Sequence, residues 1–138
     1  MTAYLVTNAA KLDFKAVLKE TKELFGPRQR VVYKRLISEG VKMVAEEPTR
    51  GGSWDRGGVV PGLRAFHLEH AAGKSGAASH MLYYAVERLA NGSPRVVILR
   101  LLHERMEPRL HVARTNVPRP PGKPSLPEND GGSGMNGP

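Results

Sequence analysis

The chain reads as an α+β domain: an N-terminal strand, a two-helix hairpin, then an antiparallel sheet of three further strands. Three observations predict it. Residues 8–46 carry apolar side chains at helical spacing, interrupted by Gly26-Pro27. Residues 63–105 switch to short apolar runs separated by turn signals. The run Arg95–Met106, RVVILRLLHERM, holds six apolar residues in the seven from Val96 to Leu102, which is the pattern of a buried central strand.

In chain order, Tyr4-Leu5-Val6-Thr7 is a short strand candidate. Asn8 or Thr7 can cap a helix running to about Phe25, because its side-chain oxygen accepts an orphan first-turn amide. Phe14, Val17/Leu18, Thr21 and Leu24/Phe25 recur as the buried stripe, widened by Leu12 and Ala16. Gly26 suits a left-handed cap and Pro27 the first turn of a second helix, which runs to about Glu46. Its apolar face is Tyr33, Leu36/Ile37, Gly40 and Val44. Gly40 costs about 1 kcal/mol inside a helix relative to alanine, and close approach of the two helices is its expected compensation. Pro48 stops this helix. Residues 48–62 read as a loop with five glycines and Trp54, of a length that implies a role. Leu63–His70 and His80–Arg88 read as strands joined by a small-residue connection, Ala71–Ser79. Asn91-Gly92 is a hairpin signal into the central strand. Alternation there puts Val97, Leu99, Leu101, His103 and Arg105 on one face and Val96, Ile98, Arg100, Leu102 and Glu104 on the other.

Length and composition suit one domain, residues 1–113, followed by a tail, 114–138. Eleven of those last 25 residues are proline or glycine, so the tail is expected to be disordered. The net charge is +8, and the tail's three basic and two acidic residues leave +7 on the domain. Such basicity points to nucleic acid or to an acidic protein partner. There is no cysteine, which excludes disulfides and thiolate metal sites. No apolar run approaches the roughly 20 residues that span a bilayer, and Met1–Thr7 lacks a signal-peptide pattern, so a cytoplasmic protein without membrane contact is expected.

Several chemistries fit poorly. Gly73-Lys74-Ser75 resembles the end of a phosphate-binding loop, but Leu68 stands where its first glycine belongs. His67 and His70 are three apart in an expected strand and so face opposite ways. His80 and His103 could approach across paired strands, with no carboxylate placed to complete a ligand set, so no metal and no cofactor is expected. No Gly-x-Ser-x-Gly elbow and no paired acids suggest a hydrolase. The remaining cluster is basic: Arg64, Arg88, Arg100, His103, Arg105 and Arg109. Arginine forks can hold phosphates and a histidine can move a proton; equally, these residues can form a solvated rim with Arg100 in a buried ion pair.

The order Phe25-Gly26-Pro27, Pro61-Gly62-Leu63-Arg64, Tyr83-Tyr84 and then the closing run from Val96 to Arg109 resembles the ParE branch of the RelE/ParE toxin superfamily. The pattern Arg-x-Leu-His-x-Arg-Met-(Asp/Glu)-Pro at Arg100–Pro108 is its most specific part, and the resemblance covers about residues 3–112. It implies the fold already read from the residues. It implies a toxin of a type II toxin–antitoxin module of the plasmid-stabilisation kind, inhibiting growth through DNA gyrase and neutralised by a ParD-like antitoxin. Arg100, His103, Arg105 and Arg109 would then face the target, and Leu18, Phe25, Tyr33 and Ile37 the antitoxin. The RelE branch instead cleaves messenger RNA on the ribosome, a chemistry for which Arg64, Arg100, His103 and Arg105 would serve here. That branch commonly uses a tyrosine near the C-terminus, and this chain has none after Tyr84.

Overall fold

A computed structural model describes residues 3–112, 117 and 118. The expected disorder of 114–138 therefore lies outside the described residues, Val117 and Pro118 apart. The elements are β1 (Ala3–Val6), α1 (Asn8–Phe25), α2 (Pro27–Glu46), β2 (Ser53–Asp55), β3 (Arg64–His67), α3 (Glu69–Ala72), β4 (His80–Arg88), β5 (Pro94–His103) and α4 (Pro108–Val112). The strands form one sheet in the order β1-β5-β4-β3-β2. β1 lies parallel to β5 and every other pairing is antiparallel. The fold class is the one expected, with one strand more: β2 lies inside the loop assigned to residues 48–62 and pairs with β3. Glycines on both sides of so short a strand mask its signal.

The helical hairpin follows from local chemistry. Thr7 is the N-cap, its hydroxyl accepting the Ala10 amide at 3.1 Å. Gly26 joins the helices in a single residue at φ 93°, ψ 168°, a region open to glycine but extended and not the left-handed helical cap expected. Ala10, Val17, Leu18 and Thr21 of α1 and Tyr33, Ile37, Gly40, Val41, Val44 and Ala45 of α2 are buried. The stripe is narrower than the sequence suggests. Leu12 and Ala16 are exposed beside the stripe, and Leu24 and Phe25 are exposed at the tip of the hairpin. Gly40 is compensated not by α1 but by Leu68, just after β3, and Leu82 of β4: a Cβ there would lie 2.7 Å from Leu68 Cδ2 and 3.2 Å from Leu82 Cδ1.

The sheet is apolar on both faces. One face packs under the helices through Phe66, Leu82, Tyr84, Val96, Ile98 and Leu101. The other gathers Ala65, Met81, Tyr83, Val97, Leu99 and Leu102 beneath Val59, Val60, Leu63, Val112 and Val117. The expected alternation along β5 fails at one point. Tyr83 pairs with Arg100 and Tyr84 with Ile98, so Leu99 is an extra residue in a bulge. Beyond it the faces exchange: Leu101 joins the helix-side core and Leu102 the opposite one. The strand expected over Leu63–His70 is cut to Arg64–His67, and the expected connection 71–79 begins inside a helical turn, α3. The chain past the central strand also folds back as α4, whose Val112 is fully buried.

Candidate functional site

β5 delivers its charged residues to three different settings. Arg100 is held by the fold. Its Nε donates to Asp13 Oδ2 at 2.7 Å, its Nη2 to Oδ1 at 2.9 Å, and its Nη1 to the His111 carbonyl at 3.2 Å. Hydrogen bonding to Asp13 raises the Arg100 pKa further above its ordinary value, against the effect of burial. β1 ends opposite Ile98, so Leu99 and Leu101 have no β1 residue opposite them. There the Thr7 hydroxyl donates to the Leu99 carbonyl at 3.1 Å, and Asp13 accepts the Leu101 amide at 2.9 Å. Asp13 is a site residue that periodicity passed over; an acid beside the buried stripe of a helix is its sequence signal.

Arg64 is likewise engaged. Its Nε donates to Ser53 Oγ at 2.9 Å, and Ser53 meets the Tyr84 hydroxyl, which donates to the Pro48 carbonyl. This knot ties β2 and the end of α2 to β4 on the helix side of the sheet. Arg100, paired in register with Tyr83, lies on the opposite side. Arg88 closes the β4–β5 turn by donating to the Gly92 carbonyl at 2.6 Å. Arg105, on the turn after β5, and Arg109, in α4, are exposed, and no ion pair among the described residues holds either.

Two histidines meet where β4 begins and β5 ends, and His67, at the end of β3, lies nearby. His80 and His103 are cross-strand partners, with rings edge to face and centroids 5.3 Å apart. Hydrogen bonding decides their tautomers. The Tyr33 hydroxyl accepts the Ser79 amide at 3.1 Å, and we assign its own proton to His80 Nδ1, 2.6 Å away. His103 Nδ1 accepts the Arg105 amide at 3.1 Å, and His67 Nδ1 accepts the Glu69 amide at 3.1 Å. Each neutral ring then carries its proton on Nε2, and His67 donates it to Glu104 Oε1 at 2.7 Å. That bond holds the Glu104 carboxyl below its ordinary pKa. Burial, and then His103, push His80 down to about 4. Glu104 corrects the reading that no carboxylate accompanies these histidines. Even so, among the described residues no three histidines and acids are grouped as a metal site. The Nδ1 atoms are blocked, and a metal on Nε2 would displace its proton without a donor at Nδ1.

His80 and His103 line a cleft of about 710 Å³ under the hairpin tip, together with Tyr33, Phe25, Leu24 and the Gly76–Ser79 backbone. A second concavity, about 280 Å³, lies beside the edge strand β1 and is lined by Tyr4, Val6, Phe14, Leu18, Lys34, Ile37, Ser38 and Val41. The four hairpin residues expected to act together are thus divided: Leu18 and Ile37 line the groove, Phe25 and Tyr33 the cleft. At about 100° per residue, Lys11, Lys15 and Lys22 project within about 60° of Leu18 and flank the groove. They are exposed, and no ion pair among the described residues engages them. Tyr4 and Leu5 on the open edge are also exposed.

Three comparisons bear on this architecture. The family described as ParE toxin of type II toxin-antitoxin system, parDE, matches residues 4–108. Toxin ParE1 of Caulobacter vibrioides is 29% identical over 112 residues, spanning 81% of this chain and 99% of that protein. A solved structure described as the chromosomal ParDE TA system from P. aeruginosa shares the fold, with a TM-score of 0.58 and 23% identity over 75% of this chain and 96% of that one.

Proposed function

The chain belongs to the ParE toxin family of type II toxin–antitoxin systems, and from that membership we propose that it inhibits DNA gyrase by binding and is silenced by a cognate ParD-like antitoxin. The observation that carries a binding mode is the dispersal of the groups that RNA cleavage would need. Arg64 is spent on the Ser53–Tyr84 knot and Arg100 on Asp13, on opposite sides of the sheet. His103 keeps its Nδ1 bonded to the Arg105 amide and has no free basic nitrogen in that tautomer. A ribosome-dependent nuclease reading would have these residues converge on one phosphate, and the placement of Arg64 and Arg100 on opposite sides of the sheet speaks for binding instead. The target surface is accordingly assigned to the exposed turn and α4, with Arg105 and Arg109 making contact, His103 shaping the turn, and Arg100 anchoring the strand that carries them.

The antitoxin is assigned to the groove beside β1. An exposed edge strand offers unpaired backbone groups to an added strand. The apolar floor of Phe14, Leu18, Ile37 and Val41, with Lys34 in its wall and Lys11 and Lys15 on the adjoining side of α1, fits an amphipathic segment with acidic flanks. The test is DNA supercoiling by purified gyrase with the purified chain, with and without co-purified antitoxin. Inhibition or trapped cleavage that the antitoxin reverses is the expected result. Unaffected gyrase, with transcripts cut on the ribosome after induction, would overturn it in favour of the nuclease.

A further inference from the structure

The cleft under the hairpin tip has a character opposite to the rest of the molecule. The chain carries a net +8, yet Glu20, Glu69 and Glu104 line this cleft and, among the described residues, no lysine or arginine does. One oxygen of Glu69 accepts the Gly76 amide and one of Glu104 accepts His67, which leaves each carboxylate a second oxygen; Glu20 has no partner among the described residues. His80, 9% exposed, lines the cleft with its Nδ1 occupied by Tyr33. With the Tyr33 hydroxyl proton assigned to Nδ1, the His80 Nε2–H has no acceptor among the described residues. At the rim, Leu24 and Phe25 are 65% and 71% exposed, large apolar side chains with nothing over them among the described residues.

We propose that this cleft docks a basic, amphipathic peptide segment of a partner protein. An arginine or lysine side chain lies against Glu20 and Glu104, a main-chain carbonyl accepts the His80 Nε2–H, and a neighbouring apolar side chain covers Leu24 and Phe25. Each cleft feature excludes an alternative. Nucleic acid would bring phosphates against three carboxylates. A polyamine brings donors alone, leaving the His80 donor unmet and the apolar rim bare. The small residues Gly76, Ala77 and Ala78 keep the wall low enough for a peptide backbone to approach, and about 710 Å³ suits a few side chains. The cleft and the groove beside β1 share no lining residue, so the two sites can be filled independently.

The test uses the full chain alone, without gyrase or antitoxin, so its outcome is separate from that of the gyrase assay. The probe is a labelled nine-residue peptide with a Leu-Arg-Phe-Arg-Leu core, read by fluorescence anisotropy and by amide and histidine NMR shifts. Its counterpart carries glutamate in place of both arginines. The arginine peptide should bind about tenfold or more tightly than the counterpart, with shifts centred on Ala77, Ala78, His80 and His103. Glu20→Gln with Glu104→Gln should weaken it about fivefold. Ala77→Phe, which fills the cleft and leaves the charges alone, should do the same without moving the melting temperature. Equal affinity for the two peptides, binding that survives Ala77→Phe, or full displacement of the peptide by spermidine would overturn the proposal.

Discussion

Arg100 and Asp13, 87 residues apart, form a two-point ion pair that seals β5 where β1 stops. The same carboxylate accepts the Leu101 amide, so one side chain neutralises a guanidinium and caps an otherwise unpaired strand. The pair is mostly buried, with side-chain exposures of 21% and 15%. Asp13→Ala should therefore cost about 2–3 kcal/mol, leaving both a cation and an amide unmet, and Arg100→Ala about 1–2 kcal/mol. Urea unfolding of the two single variants and the double variant checks this. A double-variant cost equal to the sum of the singles would mean the residues act separately.

Stability should fall with acid because of His80. Its pKa is lowered from 6.5 to about 4 by burial first and then by His103. The unfolded chain binds the proton more readily, so stability is fully present above pH 6.5 and is lost as pH falls towards 4. The loss reaches about 3 kcal/mol over that window. Glu104, whose lowered pKa comes chiefly from the His67 hydrogen bond, acts in the same direction at lower pH. Thermal unfolding between pH 7 and 4 should show this slope, and His80→Gln should flatten it. An equal slope in the variant would assign the loss to other groups.

Gly40→Ala should destabilise, against what helix propensity alone predicts. Alanine gains about 1 kcal/mol in a helix interior. Here its Cβ would lie 2.7 Å from a terminal carbon of Leu68, and both Leu68 and Leu82 are fully buried. Overpacking of this kind costs about 1–3 kcal/mol, so a net loss of about 1 kcal/mol is expected. A more stable variant would show that the Leu68 side chain gives way freely.

Arg105→Ala should reduce growth inhibition while leaving the melting temperature unchanged, because its side chain is exposed on the turn after β5. Leu99→Ala, in the second core at 0% exposure, should instead cost about 2–5 kcal/mol and abolish toxicity by unfolding. If Arg105→Ala melts as early as Leu99→Ala, the basic turn is structural and the target-surface assignment fails.

Antitoxin binding should slow amide exchange in β1 and along the groove faces of α1 and α2, residues 10–45, more than in β2 and β3. Charge reversal at Lys11 and Lys15 should weaken the complex about tenfold without unfolding the toxin. Unchanged exchange over residues 10–45 in a purified complex would place the antitoxin elsewhere.

The residues by themselves determined the class, the two helices, the bounds of β4, the turn that leads into β5 and the single-residue joint at Gly26, since helical periodicity, capping and turn chemistry act over a few neighbours. The closing run from Arg100 to Pro108 also carried the family resemblance. Tertiary structure alone decided the rest. The Leu99 bulge depends on how β4 and β5 settle against each other, and it moves Leu101 to the helix-side face. β2 forms because β3 is there to pair with it, three residues among glycines having no signal of their own. Leu24 and Phe25 read as core from their spacing, yet the hairpin tip extends past the sheet that would have buried them. Arg100 and Arg105, five residues apart, were sent to separate tasks for the same reason: Asp13, 87 residues from Arg100, reaches it only after the chain has folded.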